Sequence, residues 1–116
     1  MDTLDEVTIT GKTYVAELKN GRVRTYYIAP EKFGVRRARL DDIEGGDAKK
    51  NAEMVLAVLK GEYGPKRDIV LMNASCALVA AAKAKDFRSG MKLAAESIDS
   101  GNALDKLMKL IEITNG

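Results

Sequence analysis

The chain has 116 residues, with 19 Lys and Arg against 17 Asp and Glu, one Cys and no His. This length fits a single domain, residues 1–116, with one modest hydrophobic core. The balanced charge argues against a nucleic-acid partner, because such proteins usually carry a basic surface. The lack of His excludes the Ser–His and Cys–His pairs of nucleophilic enzymes, and with one Cys it also excludes the usual zinc sites.

No stretch of the sequence predicts an export signal or a membrane span. Residues Met1 to Glu6 lack the apolar segment of a signal peptide. The apolar run from Ile69 to Ala82 is shorter than the about 20 residues that cross a bilayer. We therefore expect a cytoplasmic protein with no membrane partner, in which Cys76 is a small buried hydrophobe.

Strand signals occupy residues 7–28. Val7 to Thr10 is a short β-branched run, and Asn20-Gly21 is a strong hairpin signal because both turn residues must take positive φ. A two-residue turn pairs Lys19 with Arg22 and places Glu17 opposite Arg24. The other face of the predicted hairpin carries Tyr14, Ala16, Leu18, Val23, Thr25 and Tyr27.

Four helices are predicted after residue 46. Asp47, Asp86 and Asn102 are suitable N-caps for the first, third and fourth. The second, Pro65 to Lys83, is apolar nearly all round, which predicts a central buried helix with Gly64 as its N-cap. Residues predicted to face inward on the other helices are Ala52, Val55, Leu56 and Leu59; Phe87, Met91, Ala94, Ala95 and Ile98; and Leu104, Leu107, Met108 and Ile111.

Two adjacent carboxylates, Asp5 and Glu6, precede the first strand signal. Mg²⁺ is usually bound by one or two carboxylates together with substrate phosphates, so this pair is a candidate Mg²⁺ site. The alternative is a solvated acidic dipeptide. Asn73 and Ser75, the polar residues of the apolar helix, are expected to be hydrogen-bonded in the core rather than catalytic.

Two other stretches could bind phosphate or could instead be an ordinary turn and a solvated loop. Gly45-Gly46-Asp47 precedes a helix, whose N-terminus can bind phosphate, but it lacks the Lys-Ser/Thr of a P-loop. A turn with an Asp47 N-cap is therefore favoured. Arg36, Arg37 and Arg39 either lie in a solvated loop, which is favoured, or bind phosphate.

Several of these motifs resemble those of anthranilate phosphoribosyltransferases. The motifs are Leu4 to Gly11 with its Asp-Glu pair, Pro30 to Gly34, Gly45 to Ala52, Leu59 to Ala74, and Ala94 to Gly101. Their order and spacing agree over essentially the whole chain with the C-terminal third of the family's chain. The family's glycine-rich phosphate loop and its anthranilate-contacting residues lie upstream and have no counterpart here.

The resemblance implies an α/β fold. It would be the C-terminal part of a nucleoside phosphorylase/phosphoribosyltransferase-like catalytic domain, here a β-hairpin region followed by about four helices. The resemblance also implies a transferase of tryptophan biosynthesis that moves phosphoribosyl from phosphoribosyl pyrophosphate to anthranilate, with Mg²⁺ as cofactor, and that forms a homodimer or another homo-oligomer.

Asp5 and Glu6 match the Asp-Glu pair that binds Mg²⁺ in this family. The resemblance assigns no catalytic residue and no substrate-binding residue to this chain. We therefore expect the 116-residue chain to be inactive alone. We also expect it to self-associate, by strand pairing through residues 6–10 or 23–28, because a cut domain exposes apolar surface and strand edges.

Three alternatives stay open. The first is that the chain is a stand-alone binding or interaction module. The second is that it is part of a related pyrimidine nucleoside phosphorylase. The third alternative is nucleic-acid binding through Arg36, Arg37 and Arg39, against which the neighbouring acidic residues argue.

Overall fold

The computed structural model describes residues 4–116 and shows a β-hairpin followed by four helices, as predicted. The strands are β1 (Thr13–Lys19) and β2 (Arg22–Ile28), and 3₁₀ turns follow at Pro30–Phe33 and Leu40–Asp42. The helices are α1 (Ala48–Leu59), α2 (Pro65–Ala80), α3 (Phe87–Asp99) and α4 (Asn102–Asn115).

The hairpin has the predicted register. Lys19 pairs with Arg22 and Glu17 with Arg24 around the Asn20-Gly21 turn, whose φ values are 53° and 76°. The Glu17 carboxylate accepts hydrogen bonds from Arg24 at 3.1 Å and from the Tyr26 hydroxyl at 3.0 Å. These bonds hold the pKa of Glu17 below its ordinary value, and the bond from Arg24 has the larger effect.

The hairpin packs on the helices through the face that carries Val15, Tyr26 and Ile28, which join a core cluster. The opposite face is the more apolar one and is open to solvent. Leu18 and Val23 are 72% and 69% exposed there. The Tyr14 and Tyr27 rings lie on the same face with their centroids 5.0 Å apart.

The strand predicted at Val7 to Thr10 is wrong, because these residues form an irregular segment. In the described part of the chain, the backbone of Val7, Thr8 and Ile9 forms hydrogen bonds to side chains and to a loop amide. The Ile9 carbonyl accepts from the Ala38 amide at 3.1 Å, and the Thr8 amide donates to Thr13 Oγ1 at 3.2 Å. Ile9 itself is fully buried, so hydrophobic burial anchors the segment without strand pairing.

Helix α2 is shorter and less enclosed than predicted. It ends at Ala80, and Ala82 has left the helix with a φ of 58°. One side of α2 is buried, whereas Val70 is 44% exposed. The buried residues of α2 are Arg67, Leu71, Met72 and Ser75. An apolar composition alone did not decide which side of this helix would be covered.

The capping predictions hold at three helices and fail at the fourth. Asp47 and Asp86 accept hydrogen bonds from the amides three residues on, and Gly64 is the N-cap of α2. Helix α4 instead begins after Gly101, whose φ is 87°, and Asn102 is already helical. Gly101 takes this left-handed conformation without strain, so it both follows the end of α3 and caps α4.

The predicted inward faces hold on α3 but only in part on α1 and α4, where Leu56, Leu59, Leu104 and Leu107 are half-buried. Ala94 and Ile98 of α3 are buried. On α1 the buried residue is Val58, and Val55 is 49% exposed. Helix α4 has no buried residue. Two core clusters result, Ile9, Ile28, Phe33 and Met72 in one, and Val58, Leu71, Ala94 and Ile98 in the other.

None of the helices in residues 4–116 is both long enough and apolar enough to cross a membrane.

Candidate functional site

Asp5 and Glu6 are exposed and lie directly before the anchored segment Val7 to Thr10. They line an open depression of about 640 Å³ at the base of the hairpin. Lys12, Tyr14 and Asn73 line the same depression. The fold therefore places the predicted carboxylates beside one strand of the hairpin and beside α2.

The α2 side chain Asn73 binds the backbone of Val7 from both sides. The Val7 amide donates to Asn73 Oδ1 at 2.9 Å, and Asn73 Nδ2 donates to the Val7 carbonyl at 2.9 Å. Nδ2 also donates to the Ile69 carbonyl at 3.0 Å. One donor faces the amide oxygen and two carbonyls face the amide nitrogen, which defines the orientation of the side-chain amide.

Asn73 is hydrogen-bonded, as expected from the sequence. Its partner could not be predicted, because nothing in the sequence relates a residue of α2 to Val7, which lies 66 positions earlier. The same is true of Ser75, which donates to the Phe87 carbonyl at 2.6 Å and links α2 to α3.

The donor set of Asp5 and Glu6 fits Mg²⁺. Among residues 4–116, none of the ion pairs involves either carboxylate, so their oxygens are open to a cation. No group of three or more His, Cys, Asp or Glu side chains that could hold a metal ion occurs in this part of the chain. Mg²⁺ does not require one, since it binds through one or two carboxylates and keeps water or substrate oxygens as its other ligands.

The candidate phosphate-binding stretches are engaged in local structure. The Asp47 carboxylate accepts from the Lys50 amide at 2.8 Å, as an N-cap does. Arg37 forms an ion pair with Glu31 at 3.0 Å, and Arg39 with Asp41 at 3.2 Å. These contacts agree with the turn-and-cap and solvated-loop interpretations.

Comparison with known proteins identifies the family of this chain. Residues 1–104 match the family model described as "Glycosyl transferase family, a/b domain". The chain therefore belongs to this glycosyl transferase family, and the observed hairpin and helices correspond to the C-terminal part of its α/β fold.

Its relatives are anthranilate phosphoribosyltransferases. The chain is 52% identical over 114 residues to the enzyme of Syntrophotalea carbinolica, covering 98% of this chain and 32% of that protein. The crystal structure of the Thermus thermophilus enzyme matches with a TM-score of 0.88 and 32% identity, over 100% of this chain and 34% of the other.

The Saccharomyces cerevisiae enzyme in complex with PRPP and Mg matches with a TM-score of 0.85 and 32% identity, over 94% of this chain and 32% of the other. The chain thus spans about a third of the length of these relatives.

Proposed function

We propose that this chain is the part of an anthranilate phosphoribosyltransferase that binds Mg²⁺, through Asp5 and Glu6. The observation that carries the proposal is the placement of two exposed carboxylates next to an anchored segment of a glycosyl transferase a/b domain. A structure of a relative with the same fold has been solved in complex with PRPP and Mg. The substrates proposed for the complete enzyme are phosphoribosyl pyrophosphate and anthranilate, and its place is tryptophan biosynthesis.

The proposed role of the carboxylates follows from the chemistry of the leaving group. Asp5 and Glu6 would hold a Mg²⁺ ion, which would neutralise the negative charge that grows on pyrophosphate as it departs. Asp5 and Glu6 supply anionic oxygen ligands, and the fixed backbone at Val7 holds their chain segment in place. None of the described residues needs to act as a general base in this scheme, so we assign no catalytic residue to this chain.

We further propose a cytoplasmic location and a homo-oligomeric assembly. Cys76 is a free, half-buried thiol, and burial raises its pKa above the ordinary value. An unreactive free thiol suits a reducing compartment. The open apolar face of the hairpin supports an assembly with further protein surface.

A hybrid enzyme tests the proposal. Residues 4–116 replace the matching third of the Thermus thermophilus enzyme, and formation of phosphoribosyl anthranilate from PRPP and anthranilate is measured against Mg²⁺ concentration. We expect activity in the hybrid. With Asp5→Asn and Glu6→Gln we expect about 100-fold or greater loss, partly restored by high Mg²⁺, since charge stabilisation by a metal is worth several kcal/mol.

Three outcomes would contradict the proposal. The first is an active hybrid whose Mg²⁺ dependence is unchanged by Asp5→Asn and Glu6→Gln. The second is a hybrid that cleaves pyrimidine nucleosides with phosphate and does not use anthranilate. The third is anthranilate turnover by the isolated 116-residue chain, which we expect to form no product.

A further inference from the structure

We infer that Asn73 is a positioning residue for the metal site, acting through the backbone of Val7. This inference rests on the proposed role of Asp5 and Glu6. The Val7 amide belongs to the peptide group that joins it to Glu6. By accepting from that amide at 2.9 Å and donating to the Val7 carbonyl at 2.9 Å, Asn73 fixes the peptide groups on both sides of Val7.

The Asn73 side chain, which forms both hydrogen bonds to Val7, is itself held in position on α2. Its side-chain nitrogen also donates to the Ile69 carbonyl one helical turn earlier, at 3.0 Å. Asn73 sits between Met72 and Ala74 on α2, and Met72 is fully buried in the core cluster that contains Ile9. The segment that carries the carboxylates is therefore bonded to α2 next to a fully buried residue, while the carboxylates themselves stay exposed.

Asparagine matches this task in both chemistry and length. It offers one acceptor and two donors, which are the groups that one N–H and two carbonyls require. An aspartate would keep the bond from the Val7 amide but would place a second carboxylate oxygen against the carbonyls of Val7 and Ile69. Partners that orient metal ligands without touching the metal typically change metal affinity by about 10–100-fold when they are removed.

The test uses Mn²⁺ alone as the probe, bound to the 116-residue chain and to the hybrid enzyme. Binding is followed by paramagnetic broadening of the amide signals of residues 4–10, and exchange of the Val7 amide is measured in the same samples. For Asn73→Ala we expect Mn²⁺ binding to weaken about 10-fold or more and exchange of the Val7 amide to accelerate. In the hybrid we expect the Mg²⁺ concentration for half-maximal activity to rise by a similar factor.

Ser75→Ala is the matched control. It removes the other buried hydrogen bond from an α2 side chain to a distant carbonyl, at Phe87, without touching Val7. We expect it to lower the melting temperature while Mn²⁺ affinity stays unchanged. Asn73→Asp is the conservative variant, and we expect its Mn²⁺ affinity to lie between those of wild type and Asn73→Ala, because the bond from the Val7 amide is kept.

Unchanged Mn²⁺ affinity in a folded Asn73→Ala chain would overturn the inference. Equal weakening by Ser75→Ala would also overturn it, because metal affinity would then follow global stability. A different result would contradict the proposed function: Asp5→Asn and Glu6→Gln, made in a chain that keeps Asn73, would leave Mn²⁺ affinity the same as in wild type.

Discussion

At the scale of single residues, the shortest ion pair in residues 4–116 joins α2 to the end of α3. Arg67 is 4% exposed and donates to the two carboxylate oxygens of Asp99 at 2.8 and 3.1 Å. Its guanidinium also lies 4.4 Å from the centre of the Tyr63 ring. The bond to Asp99 raises the pKa of Arg67, and the same bond lowers the pKa of Asp99.

This pair predicts a pH-dependent contribution to stability. Because the pKa of Asp99 is lower in the folded than in the unfolded chain, its contribution is complete above about pH 5 and is lost as the pH falls through the folded-state pKa, below about pH 4. Asp99→Asn should therefore reduce the free energy of unfolding at pH 7, and this difference from wild type should shrink towards pH 3. Urea unfolding at pH 7, 5 and 3 measures it.

Asp105→Asn, on exposed α4, is the control, and we expect it to leave the free energy of unfolding nearly unchanged at each pH. A difference between wild type and Asp99→Asn that stays constant from pH 7 to pH 3 would contradict the electrostatic account.

A second residue-scale prediction concerns the crossing of α2 and α3. A Cβ atom at Gly90 would clash with Ser75 Oγ and lie 3.0 Å from the Ser75 Cα. The backbone of α2 would have to move, so Gly90→Ala should destabilise the fold by about 1–3 kcal/mol. Thermal and urea unfolding check this, with the exposed α3 variant Lys92→Ala as the control. A Gly90→Ala chain as stable as wild type would show that the two helices are not held this closely.

At the scale of elements, the sequence correctly predicted the features that depend on the backbone preferences of neighbouring residues, namely turns and helix starts. The Asn20-Gly21 turn specified the register, and aspartates before α1 and α3 specified their starts. The β-branched run Val7 to Thr10 gave a wrong strand prediction. Strand propensity reflects packing on a sheet, and in the described part of the chain no strand pairs with these residues. An asparagine side chain and a loop amide take the place of that partner.

The hairpin turn gives the element-scale prediction. Gly21 has a φ of 76°, and a Cβ there would meet nothing within 4 Å, so the effect of Gly21→Ala is backbone strain alone. We expect a loss of about 1–2 kcal/mol in the free energy of unfolding, measured by urea unfolding. Gly11 is the matched control, because it also has open space but no left-handed φ. Equal effects of Gly21→Ala and Gly11→Ala would contradict the strain argument.

At the scale of the whole molecule, two apolar faces are left without a covering element in residues 4–116. One is the outer face of the hairpin, and the other is the stripe on α4, where Met108 and Ile111 are 45% and 42% exposed. The relatives are about three times as long as this chain. Faces of this kind are the ones that further parts of a larger domain, or a second copy, would cover.

These faces support the prediction that the chain self-associates. Of the two segments predicted to pair, residues 6–10 form no strand, whereas residues 23–28 lie in β2. Leu18→Lys with Val23→Glu places opposite charges on an exposed cross-strand pair. We expect this double variant to stay folded and to shift towards monomer in sedimentation velocity. Wild-type chain that remains monomeric at high concentration would contradict the prediction.

The sequence by itself determined the hairpin register, three of the four helix caps, the number of helices and the family resemblance. These features depend on backbone preferences and on motifs that neighbouring residues carry. The tertiary structure decided which faces are buried and which hydrogen bonds hold the segment of Asp5 and Glu6 against α2. The burial of a face depends on which other elements pack on it. The hydrogen bonds between Asn73 and Val7 join residues 66 positions apart, so no local sequence pattern could specify them.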